Sequence, residues 1–229
     1  MGCRCGTAGP IRAAKAWRKG TEGTIRMPRL STAAAYDQLA ERWLDGVFDS
    51  SNGLRQHERA LAFLAPAADG WALNVGCGCN TRFNPLLRQR GLRIEAVDLS
   101  ARMLALAQVA DPEVVLHQAD IRDWPLPRGY RFVAAWDSIW HVCLQDQRAL
   151  MLKLMRALEP GGVFLFTAGG LDQAHEHVDA AMGPEVYYGT LGIPGLLAVI
   201  EEAGCLLRHL EFDQHPEQHL VLIAQRPKK

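Results

Sequence analysis

The feature that most constrains this chain is the alternation of short apolar runs with longer amphipathic ones between Trp71 and Gly204. "WALNV", "RIEAVD", "EVVLHQ", "YRFVAAW" and "GGVFLFT" have strand length and are rich in branched and aromatic residues. "TRFNPLLRQRG", "ARMLALAQVA", "QDQRALMLKLMRALE" and "IPGLLAVIEEAG" repeat their apolar residues at helical spacing. Gly91 is placed to close the first of these helices and Ser100 to cap the second. Strands that alternate with helices of roughly 10–15 residues predict a parallel sheet covered by helices on both faces. The last two strand-like runs, "CLLRHLEF" and "HLVLIAQR", have no helix between them, so they are expected to pair antiparallel.

Two further helices precede this pattern. Ser31 or Thr32 can cap "AAAYDQLAERWL", which puts Tyr36, Leu39, Ala40, Trp43 and Leu44 on one stripe. "LRQHERALAFLA" ends before Pro66. Residues 1–30 differ: they are basic, scattered with Gly and Pro, and sustain no apolar period. They read as a disordered tail, with Met27 a possible physiological start and a nucleic-acid-binding arm the sharper alternative. Residues 31–229 read as a single domain, a size that carries a good hydrophobic core.

Formal net charge is zero, which gives no general pull toward nucleic acid or anionic lipid. No apolar run approaches the roughly 20 residues of a membrane span, and no signal core follows the basic N-terminus. The six cysteines lack the Cys-x-x-Cys spacing of zinc ribbons and redox motifs, so no metal is expected and a reducing cytoplasm is the simplest compartment.

The chemistry should lie at the first strand–turn–helix. "LNVGCGCNTRF" breaks an apolar strand into Gly76-x-Gly78, where bare backbone can approach a ligand and a helix N-terminus follows. Asp98 ends the second strand, twenty residues after Gly78, at the spacing where a carboxylate can accept both hydroxyls of a ribose. The sheet is therefore expected to be Rossmann-like: doubly wound, mostly parallel, seven-stranded, with an antiparallel C-terminal strand and flanking helices. A nicotinamide-dependent oxidoreductase would share this loop and its acid.

Three later segments separate the alternatives. "QADIRDWPLP" follows the third strand, "WDSIWHV" the fourth, and "LEPGG" leads into the fifth. With them, the stretch from about Tyr36 to Gln225 resembles the class I S-adenosylmethionine-dependent methyltransferases. The resemblance implies methyl transfer from S-adenosylmethionine to a small-molecule acceptor, with no nucleic-acid or membrane partner and a monomeric or homodimeric state. A non-catalytic S-adenosylmethionine-binding regulatory protein is the other reading it allows. By resemblance, Asn74, Gly76, Cys77, Gly78 and Asn80 form the cofactor loop and Asp98 takes the ribose. Leu99 and Met103 pack on the adenine, and Asp120 accepts its amino group beside the Ile121 backbone. The backbone around Trp136 and Asp137 meets the methionine part, and Tyr36 touches the cofactor or is a core aromatic. The loop departs from the family pattern twice: Asn74 stands where an acid is common, and Asn80 where a third glycine is common. Asn tolerates left-handed backbone better than other non-glycine residues, which suits Asn80 to such a turn.

Methyl transfer needs alignment, desolvation and, for a poorly ionised acceptor, a base. His141 and Asp137, after the fourth strand, are the candidate bases, with a local structural role the alternative for each. The glycine-punctuated stretch from Ala168 to Ile193 reads as a long loop covering the substrate, and its Tyr187 and Tyr188 as walls of an acceptor pocket. His175 and His177 within it lack a metal-binding pattern, and "FDQHPEQH" reads as a hairpin connection near the cofactor mouth or on the surface.

Overall fold

A computed structural model describes residues 27–43, 49, 51–66, 69–79 and 81–228. The expected tail over residues 1–26, together with Leu44 and Asn80, lies outside these described residues. Strand β1 (Gly70–Val75) leads through the glycine turn to helix α3 (Asn84–Gln89), and β2 (Leu92–Asp98) to α4 (Ala101–Ala110). Then come β3 (Val115–Gln118), β4 (Tyr130–Ala135), α5 (Leu144–Arg156) and β5 (Leu158–Gly169). Two short strands follow, β6 (His175–Asp179) and β7 (Val186–Thr190), before α6 (Gly192–Glu202), β8 (Leu206–Phe212) and β9 (His219–Gln225). Helices α1 (Thr32–Leu39) and α2 (Leu54–Leu61) precede them all.

The seven-stranded sheet runs β3-β2-β1-β4-β5-β9-β8, and only β9 runs opposite to the other six strands. The chain reverses its order of strands between β1 and β4, which opens a crevice beyond their carboxyl ends. Because β9 runs backwards, its first residue, His219, pairs with Gly169 at the carboxyl end of β5 and so lies at the crevice end of the sheet. Both faces of the sheet are apolar. Leu73, Val133, Phe164, Phe166 and Leu222 pack under α5 and α6, while Ala72, Phe132, Leu165 and Ile223 pack under α2 and α3. Phe164 and Phe166 are wholly buried, each burial contributing about 2–3 kcal/mol.

Local signals set the boundaries. Ser31 Oγ accepts from Ala34 N–H and Ser100 Oγ from Met103 N–H, as capping predicts. Helix α3 begins three residues later than its sequence pattern, where Pro85 occupies the first turn. The stretch expected as a long loop from Ala168 to Ile193 is instead largely structured: β6 and β7 form an antiparallel ribbon with His177 opposite Tyr188. Helix α1 is clamped onto the start of α4: Asp37 accepts from Ser100 Oγ and from the Arg102 N–H at 3.2 Å. A carboxylate at a helix N-terminus also complements the helix dipole. Among the described residues, no helix is long and apolar enough to cross a membrane.

Candidate active site

The floor of the crevice is built by the turn after β1. Gly76 N–H and Cys77 N–H both reach the Val97 carbonyl on β2, at 2.8 and 3.3 Å. Gly76 and Gly78 have φ of 63° and 57°, a left-handed backbone that side chains resist. A Cβ on Gly76 would lie 2.4 Å from Ser138 Cβ, so this glycine also lets the loop after β4 pack against the turn. Among the described residues, a Cβ at Gly78 would meet only Met103 Sδ, at 3.9 Å. Asp98 Oδ2 accepts from Gly78 N–H at 2.8 Å and Oδ1 from Ser100 N–H at 2.8 Å. Each oxygen keeps a second lone pair for a ligand hydroxyl. Burial pushes this carboxyl up, against the pull of those backbone donors.

Above the floor lies a largely apolar chamber. Asn74, Cys77, Leu99, Met103 and Ile121 line it, together with Tyr36, Trp43, Trp140, Met182 and Tyr188. Trp136, Asp137, His141 and Arg82 line it as well. The turn, the acid, α1, the loop after β4 and the β6–β7 ribbon therefore meet at one cavity. Thiols at Cys77 and Cys79 are pushed up by burial and are inert at neutral pH.

Two expected residues stand elsewhere. Asp120 is not among the cavity-lining residues; Arg122 holds both its oxygens, with contacts of 2.7 to 3.1 Å, and bridges to Asp146 at 2.7 Å. The guanidinium also keeps the Asp120 carboxyl below its usual range. Ala119 and Ile121, on either side of Asp120 in the chain, do line the cavity. Tyr187 likewise does not line the cavity. Its hydroxyl donates to Glu176 at 2.6 Å and accepts from Leu144 N–H at 2.9 Å, because neighbours on a strand face opposite sides. Tyr188 is the tyrosine of the pair that reaches the chamber.

His141 is held on both nitrogens. Its Nδ1 lies 2.9 Å from the Tyr187 carbonyl, which can only accept, so Nδ1 carries the proton. Its Nε2 receives the Trp140 indole N–H at 3.0 Å and lies 2.7 Å from the Tyr36 hydroxyl, which must then donate. Burial lowers His141 to about 4, so it is neutral at pH 7. Burial also raises Tyr36 well above the usual phenol range, with Tyr188, Asp137 and Asp98 adding to the effect.

Asp137 is anchored differently. It has φ 52° without being glycine, and its N–H donates to Thr167 Oγ1 at 2.8 Å. Its Oδ1 accepts from Thr167 Oγ1 at 3.2 Å and from His219 Nε2 at 2.9 Å. His219 is wholly buried, and its Nδ1 donates to Asp213 Oδ1. Both ring nitrogens face carboxylates, so both must carry protons. Burial works against that charge, but Asp137 and Asp213 overcome it and lift His219 to about 9. The "FDQHPEQH" segment is the expected hairpin connection, with His215 and Pro216 exposed, and its last residue delivers a buried imidazolium. Sequence reasoning assigned neither His219 nor Arg82 to the site. The signal for His219 was its position at the first residue of the reversed strand, beside the carboxyl ends of β4 and β5.

This cavity, at the strand-order reversal of a seven-stranded sheet with one reversed strand, defines the class I methyltransferase fold. Residues 73–166 match the family described as "Methyltransferase domain", and the chain resembles the class I S-adenosylmethionine-dependent methyltransferases. It is similar to the malonyl-(acyl-carrier protein) O-methyltransferase of Serratia marcescens, 29% identical over 158 residues, which cover 67% of this chain and 59% of that protein. It is also similar to the dTDP-3-amino-3,6-dideoxy-alpha-D-glucopyranose N,N-dimethyltransferase of Streptomyces fradiae, 36% identical over 93 residues, 40% of this chain and 36% of that protein. The chain therefore spans less than two thirds of the length of these relatives. A crystal structure of the Burkholderia thailandensis 1,6-didemethyltoxoflavin-N1-methyltransferase, with bound 1,6-didemethyltoxoflavin and S-adenosylhomocysteine, shares the fold with a TM-score of 0.66. That match has 16% identity and covers 90% of this chain and 93% of the other.

Proposed function

We propose that this protein transfers a methyl group from S-adenosylmethionine to a small, partly apolar acceptor. The observation that carries the reading is the Gly78 N–H to Asp98 hydrogen bond beneath an aromatic chamber at the switch point of the sheet. The residues suit that cofactor. The space at Gly78, open among the described residues, admits a ribose, and Asp98 keeps lone pairs for its hydroxyls. Leu99, Met103 and Ile121 offer an apolar berth for adenine. When bound, S-adenosylmethionine supplies a methyl carbon already attached to a good leaving group.

The chain's own contribution is alignment and exclusion of water. Tyr36, Trp140, Met182 and Tyr188 wall the acceptor space, with Tyr36 fixed by its hydrogen bond to His141 Nε2. His141 holds its proton on Nδ1 and is a positioning residue for Tyr36 in this reading. A nitrogen acceptor that is neutral near pH 7 needs no stronger base; an alcohol would. We further read residues 31–229 as one domain working in the cytoplasm as a monomer or homodimer, without a nucleic-acid partner. Free thiols at Cys77, Cys79, Cys143 and Cys205 suit a reducing compartment.

Calorimetry with S-adenosylhomocysteine and with NADH tests the reading. Micromolar affinity for the former, about −8 kcal/mol, and none for the latter is expected. Binding of NADH alone would replace this reading with a hydride-transfer one. A screen of candidate acceptors with methyl-labelled cofactor then names the product.

A further inference from the structure

The buried arrangement of Asp137, His219 and Asp213 is more than the fold requires. It joins two carboxylates to one imidazolium and leaves the cluster with net negative charge. Only one of its members, Asp137, lines the cavity. Its Oδ1 is taken by Thr167 and His219, and Oδ2 has no protein donor among the described residues. The loop that carries Asp137 packs directly on the glycine turn: Ser138 Oγ donates to the Val75 carbonyl at 2.8 Å. Asn74 and Ala134 are partners on adjacent parallel strands, so Asp137, three residues on, lies beyond the carboxyl ends of β1 and β4, and both Asn74 and Asp137 line the cavity. Arg82 also lines the cavity, with its Nε donating to the Asn52 carbonyl at 2.8 Å.

We propose that the Asp137 carboxylate, positioned by Thr167 and by the His219–Asp213 pair behind it, is the anionic partner of the cofactor's ammonium group. This assignment rests on the reading of the pocket as an S-adenosylmethionine site. It accounts for the uncharged Asn74: the negative charge has moved from the end of β1 to the end of β4. It also gives His219 a purpose. A lone carboxylate at a left-handed backbone position would be free to rotate, whereas one bonded to Thr167 and His219 presents a fixed oxygen. Asp213 keeps the imidazolium from cancelling the charge that Asp137 offers to the ligand.

The test compares S-adenosylhomocysteine with 5′-methylthioadenosine, which has the same adenosine and thioether but no amino-acid part. Calorimetry on the full chain measures both ligands against wild type, Asp137→Asn and Asp213→Asn, with thermal melts confirming each fold. Asn tolerates the left-handed backbone and keeps the oxygen that faces His219, so Asp137→Asn removes charge with little else. It is expected to weaken S-adenosylhomocysteine about ten- to hundredfold, the size of a charged hydrogen bond, and to leave methylthioadenosine within about twofold. Asp213→Asn, which lies outside the cavity, is expected to weaken S-adenosylhomocysteine severalfold, again sparing the shorter ligand. If Asp137→Asn does not melt cooperatively, the ratio measured in Asp213→Asn decides the matter alone. Equal losses for both ligands would overturn the assignment in favour of a structural role. An unchanged S-adenosylhomocysteine affinity with collapsed methyl transfer would overturn it in favour of a base acting on the acceptor. Wild type binding neither ligand would overturn the pocket reading and this assignment with it.

Discussion

His141 lines the cavity and His219 lies behind its wall, bonded to Asp137, and their partners put the two rings in opposite protonation states. His141 is enclosed by an indole N–H, a phenol and a backbone carbonyl, none of them charged. Burial therefore dominates, and the ring stays neutral down to about pH 4. His219 is more deeply buried yet charged up to about pH 9, because each nitrogen meets a carboxylate. Depth alone does not set the charge of a buried imidazole; the acceptors and donors around it do. The two histidines divide the cavity accordingly. The His141 side is a neutral aromatic wall, and the His219 side carries charge toward the turn that holds Asn74.

The harshest way to break this comparison is His219→Leu. It leaves Asp137 and Asp213 facing each other without a cation. Breaking a buried ion pair from one side costs about 3–5 kcal/mol, and urea denaturation at pH 7 should read a loss of that size. Part of it should return at pH 5, as the unpaired carboxylates take up protons. A loss below about 1 kcal/mol would mean that the cluster is solvated and the imidazolium unimportant. His141→Phe should cost less, about 2–3 kcal/mol, because it strands the Tyr187 carbonyl and the Tyr36 hydroxyl but no charge. Its loss should be nearly independent of pH above about 6.5, where the wild-type ring is neutral whether folded or unfolded.

The pH dependence of stability sharpens the contrast. His219 is raised in the folded protein, so its contribution is complete below its unfolded pKa of about 6.5 and is lost as pH rises through about 9. His141 is lowered, so its contribution is complete above about 6.5 and is lost as pH falls toward about 4. Wild type should therefore show an acid limb that flattens in His141→Phe and an alkaline limb that flattens in His219→Leu. Denaturation curves from pH 4 to 10 check this. Exchange of the two limbs between the variants would reverse the assignment of charge.

The same contrast explains what could be read from the sequence. Gly76, Gly78, Asp98 and the Ser100 cap follow one another along a single strand–turn–helix–strand unit, so their spacing alone brings them together. The alternation of strands and helices likewise conveyed the parallel sheet and its reversed last strand. Asp120 misled because Arg122, two residues on, captured it, and the bridge to Asp146 that completes the capture depends on how α5 packs. The His219 cluster was invisible because it joins the ends of β4, β5 and β9, and a strand register is needed to see that Asp137, Thr167 and His219 meet. Tyr187 could have been found. "EVYYGT" has a strand's character, and once it is read as a strand only one of two adjacent tyrosines can face the cavity.

The smallest effect expected is that of Tyr187→Phe, and it isolates what keeps His141 neutral. The hydroxyl of Tyr187 bonds Glu176 and the Leu144 N–H, at the far side of the ribbon from the chamber. Its removal should cost about 1 kcal/mol, the net worth of an ordinary hydrogen bond. The backbone carbonyl of the same residue remains, and with it the acceptor that holds the His141 proton on Nδ1. The proton NMR titration of His141 should therefore be the same in wild type and variant, with its midpoint near pH 4. Cofactor affinity should also be unchanged, since Tyr187 does not line the cavity. A shift of the His141 titration toward the ordinary value near 6.5 would show that the ribbon, and not the wall formed by Tyr36 and Trp140, keeps water from the ring. In that case the neutral side of the cavity would be a property of the β6–β7 cover, lost whenever the cover opens.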